Sequence, residues 1–203
     1  MTIVRRLRRI AVALIAATAV AAADEPAHVH VHAAEPPAAL PGGSLYQLGA
    51  ALDTVGGERI ALDSLRGAPV VVTMFYSTCT SVCPMLTQQM QRVAAALDAG
   101  QRARVRFLMV SFDAARDTPA RLADFAAEHH LPRPPFVVAH AAAGDVRAIA
   151  AALGIRYRQL PDGSFSHSSL LTLLDRDGVP VARSTLLAGD DPEFVARVRA
   201  LGE

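Results

Sequence analysis

The chain contains no lysine; all 20 of its basic residues are arginine. Schiff-base catalysis through a lysine amine is therefore excluded. Cysteine is nearly as scarce, with 2 in 203 residues, Cys79 and Cys83. Both lie deep in the chain, so no cysteine stands near the N-terminus to carry a lipid anchor. Apolar runs are short too. The one at the start, Ile10 to Val20, falls well below the ~20 residues that cross a bilayer. It follows Arg5, Arg6, Arg8 and Arg9 and precedes Ala21-Ala22-Ala23. A charged, then apolar, then small-residue order is that of a secretory signal peptide. Residues 1–23 are expected to be cleaved near Ala23, giving a soluble exported protein, periplasmic in location; an uncleaved membrane anchor is the weaker reading. The arginine pair lacks the rest of a twin-arginine motif. Basic excess is also missing: without those four arginines the chain has 16 basic residues against 19 acidic ones. A net charge of about −3 disfavours a nucleic-acid partner.

Residues 24–44 are rich in alanine and proline and hold too few large apolar side chains to build a core, so they read as a flexible tether. His28, His30 and His32 alternate within it. Such imidazoles share one side of an extended segment and can bind a divalent metal weakly, or simply be solvated. Residues 45–203 have the length of one domain.

Asp53 to Ile60 reads as a hairpin turning at Gly56-Gly57. Pro69 to Tyr76 is a near-continuous run of β formers, as in a strand buried on both faces. Leu86, Met90, Val93, Ala94 and Leu97 make one helical stripe, with Pro84 in or near the first turn. Arg104 to Phe112 gives a second strand. Thr118-Pro119 opens a helix carrying Leu122, Phe125 and Ala126. A strand near Phe136 to Ala139, a helix from Asp145 to Leu153 and a strand from Ser169 to Asp175 come next. The turn Asp175 to Gly178 leads to a strand over Val179 to Ser184, and Pro192 opens a last helix. This order predicts an α/β domain with a central mixed β-sheet flanked by helices.

The cysteines stand as Cys79-Thr-Ser-Val-Cys83-Pro84, between the buried strand and the helix that follows it. Open α/β sheets place ligand sites at such strand ends, and a helix N-terminus favours thiolate over thiol. Four residues apart around a helix start, both sulfurs can face one point and share a soft metal. A purely structural disulfide is the bland alternative; a ring this small contributes only about 2 kcal/mol, against about 4.7 for a 100-residue loop. Two thiolates leave copper or zinc short of donors, so a third ligand is expected. His129 and His130 close a helix, where histidines are ordinary surface residues. His140 begins a loop after a strand. His167 lies in a loop just before the buried strand that starts near Leu170.

Three segments, Met74-Phe-Tyr-Ser-Thr-Cys79-Thr-Ser-Val-Cys83-Pro84, Val110-Ser-Phe-Asp113-Ala-Ala-Arg116-Asp117-Thr118-Pro119 and Ser166-His167-Ser168, resemble the Sco/SenC family of copper proteins. The likeness runs from Tyr46 to the end. It implies a thioredoxin-like fold in which Cys79, Cys83 and His167 bind one copper, as Cu(I), Cu(II) or both. It also implies a metallochaperone role in cytochrome c oxidase assembly. The implied partners are the copper-bearing oxidase subunit, a thiol reductant and other periplasmic copper chaperones. Asp113 and Asp117 are then expected to shape loops or meet a partner, with helix capping as the alternative and no ligand role.

Two enzyme readings stand beside it. A thiol–disulfide oxidoreductase would use Cys79 as attacking thiolate and Cys83 as resolving thiol. Its usual spacing is Cys-x-x-Cys, and a proline would face the dithiol where Ser166-His167-Ser168 stands. A peroxiredoxin-type peroxidase needs a proline and a threonine where this chain has Val72 and Tyr76.

Overall fold

The computed structural model describes residues 39–203. The expected signal peptide and His28, His30 and His32 lie outside the described residues. The elements run β1 (Ala51–Thr54), β2 (Arg59–Ala61), β3 (Val70–Phe75), α1 (Val82–Ala95), α2 (Ala99–Arg104), β4 (Arg106–Ser111), α3 (Pro119–Glu128) and β5 (Phe136–Ala141). They continue α4 (Ala143–Leu153), β6 (Tyr157–Gln159), β7 (Phe165–His167), β8 (Leu171–Leu174), β9 (Pro180–Ser184) and α5 (Pro192–Leu201).

Seven strands form one mixed sheet in the order β2-β1-β5-β4-β3-β8-β9. The strands β3, β4 and β5 are mutually parallel, and β8 and β9 complete one side antiparallel. Every residue of β3 and β8 is buried, and five of six in β4, so these central strands are covered on both faces. That burial explains their unbroken apolar sequence. The architecture is thioredoxin-like. Among the described residues no helix is long and apolar enough to cross a membrane.

Several boundaries move for tertiary reasons. The strand expected to stop at Ala139 continues to Ala141, because β1 pairs with it antiparallel, Asp53 opposite His140 and Leu52 opposite Ala141. His140 is therefore inside a strand and does not open a loop. Helix α1 ends at Ala95, and Leu97 is buried in the turn beyond it. Arg104 belongs to the short helix α2, which the capping box of Asp98 and Gln101 starts. Residues 40–44, assigned above to the tether, lie on the domain: Leu40 packs against the core, and the buried Ser44 hydroxyl donates to the Asp177 carbonyl.

One unit stands apart from the main sheet. Strands β6 and β7 pair only with each other, Tyr157 opposite His167 and Gln159 opposite Phe165. Its turn is closed by the Gly163 N–H donating to the Leu160 carbonyl. The sequence reading has a loop here; the structure has a hairpin, and His167 is the last residue of its second strand.

Candidate metal centre

The dithiol segment is held from below by a buried carboxylate. Asp117 accepts the Ser77 N–H at 2.9 Å together with the hydroxyls of Ser77 and Ser111, and is itself fully buried. It ties the end of β3 to the end of β4, two residues before Cys79. Asp113 is buried beside it and pairs with Arg116. Neither caps α3: that falls to Thr118, whose side chain accepts the Arg121 N–H.

Helix α1 then begins without an ordinary cap. Ser81 makes no side-chain cap bond, and Pro84, third in the helix, has no N–H to offer. The N–H of Cys83, second in the helix, donates instead to Sγ of Cys79 at 3.4 Å. Sulfur thus does the work that serine or aspartate oxygen does elsewhere. The hydroxyl of Ser81 lies 3.8 Å from the same atom.

These contacts make the two thiols unequal. Burial pushes Cys79 up, but hydrogen bonds from the Cys83 thiol, the Cys83 N–H and the backbone and hydroxyl of Ser81 outweigh it and bring the pKa to about 6. For Cys83, burial and then the hydrogen bond it gives to Cys79 push the thiol far above its ordinary value. At neutral pH the pair is a thiolate and a thiol. The sulfurs are not bridged. Cys79 is 9 % exposed and Cys83 0 %.

Hairpin β6–β7 brings the nitrogen donor. Nδ1 of His167 lies 3.0 Å from the Ser168 carbonyl. A carbonyl only accepts, so Nδ1 carries the proton and Nε2 presents its lone pair. Nε2 is 3.7 Å from Sγ of Cys83, and the ligand atoms of Cys79, Cys83 and His167 all lie within 4.8 Å of one another. Donors sharing one ion at ordinary Zn–S and Zn–N lengths sit about 4 Å apart in a three-coordinate arrangement. The spacing and the soft donor set fit one thiophilic ion. Among the described residues this is the one group of histidine, cysteine and carboxylate donors so placed.

The other described histidines are elsewhere. His129 caps the C-terminus of α3 and its ring lies 4.4 Å from that of Phe125, with His130 beside it at φ 52°. Nδ1 of His140 is buried without a hydrogen-bond partner. None joins the cluster.

Aromatic packing around His167 was not legible in the sequence. The chain has no tryptophan, 3 tyrosines and 7 phenylalanines, yet Tyr76, Phe112, Tyr157 and Phe165 gather at this one place. The imidazole is 5.0 Å from the Phe112 ring and 6.2 Å from Tyr76, centroid to centroid. Phe112 stacks on Tyr157 at 5.0 Å, and Tyr76 lies 5.1 Å from Phe165. The four rings come from three separate stretches of chain, which hides their convergence. Pro161-Asp-Gly163 was a readable turn signal that pointed to the hairpin.

The chain is similar to known proteins. The chain is 26% identical over 125 residues to a protein of Stutzerimonas stutzeri named for copper binding. That match takes in 60% of this chain and 60% of the relative's own length. The structure of Bradyrhizobium japonicum ScoI with copper bound superposes with a TM-score of 0.65 at 22% identity, over 75% of this chain and 96% of that one. BsSco, a member of the Sco family of cytochrome c oxidase assembly proteins in which a disulfide switch is identified, superposes with a TM-score of 0.65 at 20% identity. It covers 75% of this chain and 90% of its own. The SCO1/SenC family model matches residues 50–201, and the chain belongs to that family.

Proposed function

We propose that the protein is an exported copper metallochaperone that binds one copper through Cys79, Cys83 and His167 and delivers it to the copper-bearing subunit of cytochrome c oxidase. The observation that carries the reading is the convergence of two sulfurs and an imidazole nitrogen within 4.8 Å. Copper in ScoI and the oxidase assembly role of BsSco's family support it. Thiolates suit Cu(I), and the imidazole makes Cu(II) acceptable. The Cys79 thiolate is ready to accept the ion near neutral pH; Cys83 gives up its proton as the metal binds. His167 is oriented beforehand by Ser168 and the aromatic wall, so little ordering is left for binding to supply. A periplasmic location follows from the signal-like N-terminus, with a thiol reductant and other copper chaperones upstream.

The test is a Cu(I) titration of the reduced, signal-free protein against a competing chelator, beside Cys79→Ser, Cys83→Ser and His167→Ala. One tight equivalent, weakened in all three variants, is expected. Equal weak binding by wild type and variants would remove the ligand assignment. Delivery is tested by mixing the Cu(I) form with the soluble oxidase domain and following copper on each.

A second reading, reduction of partner cysteines, is favoured by the unequal thiols: a low-pKa Cys79 at the edge of the core beside a fully buried Cys83 is the arrangement of an attacking and a resolving thiol. Transfer of reducing equivalents to an oxidised oxidase domain, without copper, separates the two.

A further inference from the structure

Arg116 sits at the junction of three parts of the site. Its Nε donates to the buried Asp113 carboxylate, and its Nη2 donates to the Gly163 carbonyl in the β6–β7 turn. Its guanidinium carbon lies 5.9 Å over the Phe165 ring, on the same hairpin. Gly163 has φ +83°, and a Cβ there would come within 3.2 Å of Arg116 Nη1, so the turn is shaped to admit the guanidinium.

The hairpin needs such a hold. Its strands pair only with each other and take no part in the seven-stranded sheet. Its backbone-to-backbone bonds, Leu160 N–H to Ser164, Gly163 N–H to Leu160 and Ser168 N–H to Arg156, close on the hairpin and its two flanking residues. What binds it to the domain is ring packing on Tyr76 and Phe112, the Phe165 N–H at the Tyr76 hydroxyl, the contact of His167 with Cys83 and, at the turn, the fork of Arg116. An isolated two-stranded hairpin is marginal in water, and arginine's planar fork suits a bridge between a carboxylate and a carbonyl.

We propose that Arg116 is a positioning residue that latches the β6–β7 hairpin to the β4–α3 loop and thereby holds His167 Nε2 at the two sulfurs. Asp113 is the anchor for that latch, because its carboxylate is buried and faces the guanidinium. The effect on copper rests on the ligand assignment made above; the mechanical effect does not.

Two measurements on the mature protein test it. The first is hydrogen exchange of the metal-free form. Arg116→Lys keeps a cation beside Asp113 but cannot fork to Gly163. It is expected to speed exchange at the Leu160, Gly163 and Ser168 amides roughly tenfold while β3, β4 and β8 stay unchanged. Unchanged hairpin protection overturns the latch. The second is a double-mutant cycle on Cu(II) and Cu(I) affinity with Arg116→Ala and His167→Ala. Arg116→Ala is expected to weaken Cu(II), which needs the imidazole, more than Cu(I), and to cost nothing further once His167 is gone. Losses that simply add mean Arg116 does not act through His167. Should Arg116→Ala unfold the domain, the cycle is run with Arg116→Lys. If the wild type binds no copper, the ligand assignment fails while the exchange result still decides the latch.

Discussion

The His167 imidazole lies 5.0 Å from the Phe112 ring at an interplanar angle of 52°, so the wall behind the nitrogen donor is the ring that follows β4 directly. Phe112 is 5 % exposed. Phe112→Ala is expected to cost about 3 kcal/mol of stability, and Phe112→Leu about 1. With the wall gone the imidazole samples other rotamers, so its ring resonances should broaden in the alanine variant and stay sharp in the leucine one. Identical sharp resonances in both would show that Ser168 alone fixes the ring.

The two thiols should titrate far apart. Alkylation of Cys79 is expected to accelerate with pH through about 6 and then level off, since only the thiolate reacts. Cys83 should stay silent through neutral pH because burial holds it protonated. Mass-spectrometric mapping of iodoacetamide adducts between pH 5 and 9 measures both. The linkage sign is fixed by the same shift: Cys79 is lowered on folding from 9.0 to about 6, so stability of the dithiol form rises with pH across that window and is lost as pH falls through about 6. A midpoint that falls between pH 6 and 9 would contradict the assignment.

Asp117 carries the dithiol segment through three accepted hydrogen bonds. Asp117→Ala leaves the Ser77 N–H and two hydroxyls buried without an acceptor, at a cost of about 3 kcal/mol. Asp117→Asn keeps an acceptor oxygen and should cost less. Urea unfolding reads the difference; equal midpoints for the two variants would mean that water replaces the carboxylate.

Gly178 closes the turn between β8 and β9 at φ +81°, and a Cβ there would fall 2.6 Å from Cδ2 of the buried Tyr46 ring. Both conformation and space oppose a side chain. Gly178→Ala is expected to destabilise by about 2 kcal/mol or more, and a thermal midpoint within a degree of wild type would show that the ring can step aside.

Much of this was written in local sequence. The runs Val70 to Phe75 and Leu171 to Leu174 read as buried strands because both faces are covered. The Cys79 and Cys83 pair was visible from its place between strand and helix. Three things were not. Strands β6 and β7 have three residues each, too few for periodicity to register. The length of β5 depends on pairing with β1, more than eighty residues upstream in the chain, which no local pattern records. The roles of Arg116 and Phe112 rest on contacts to residues some fifty positions away, Gly163 and His167. His167 itself looked like a lone loop histidine, and only the motif resemblance singled it out.

The Cys79 sulfur that terminates α1 has a spectroscopic consequence. The Cys83 and Ser81 amides point their protons at that sulfur, so protonation, oxidation or metal capture at Cys79 changes the field at two backbone nitrogens. Two cross-peaks in a ¹⁵N–¹H correlation spectrum therefore serve as a built-in gauge of the chemical state of the site, readable without any added dye.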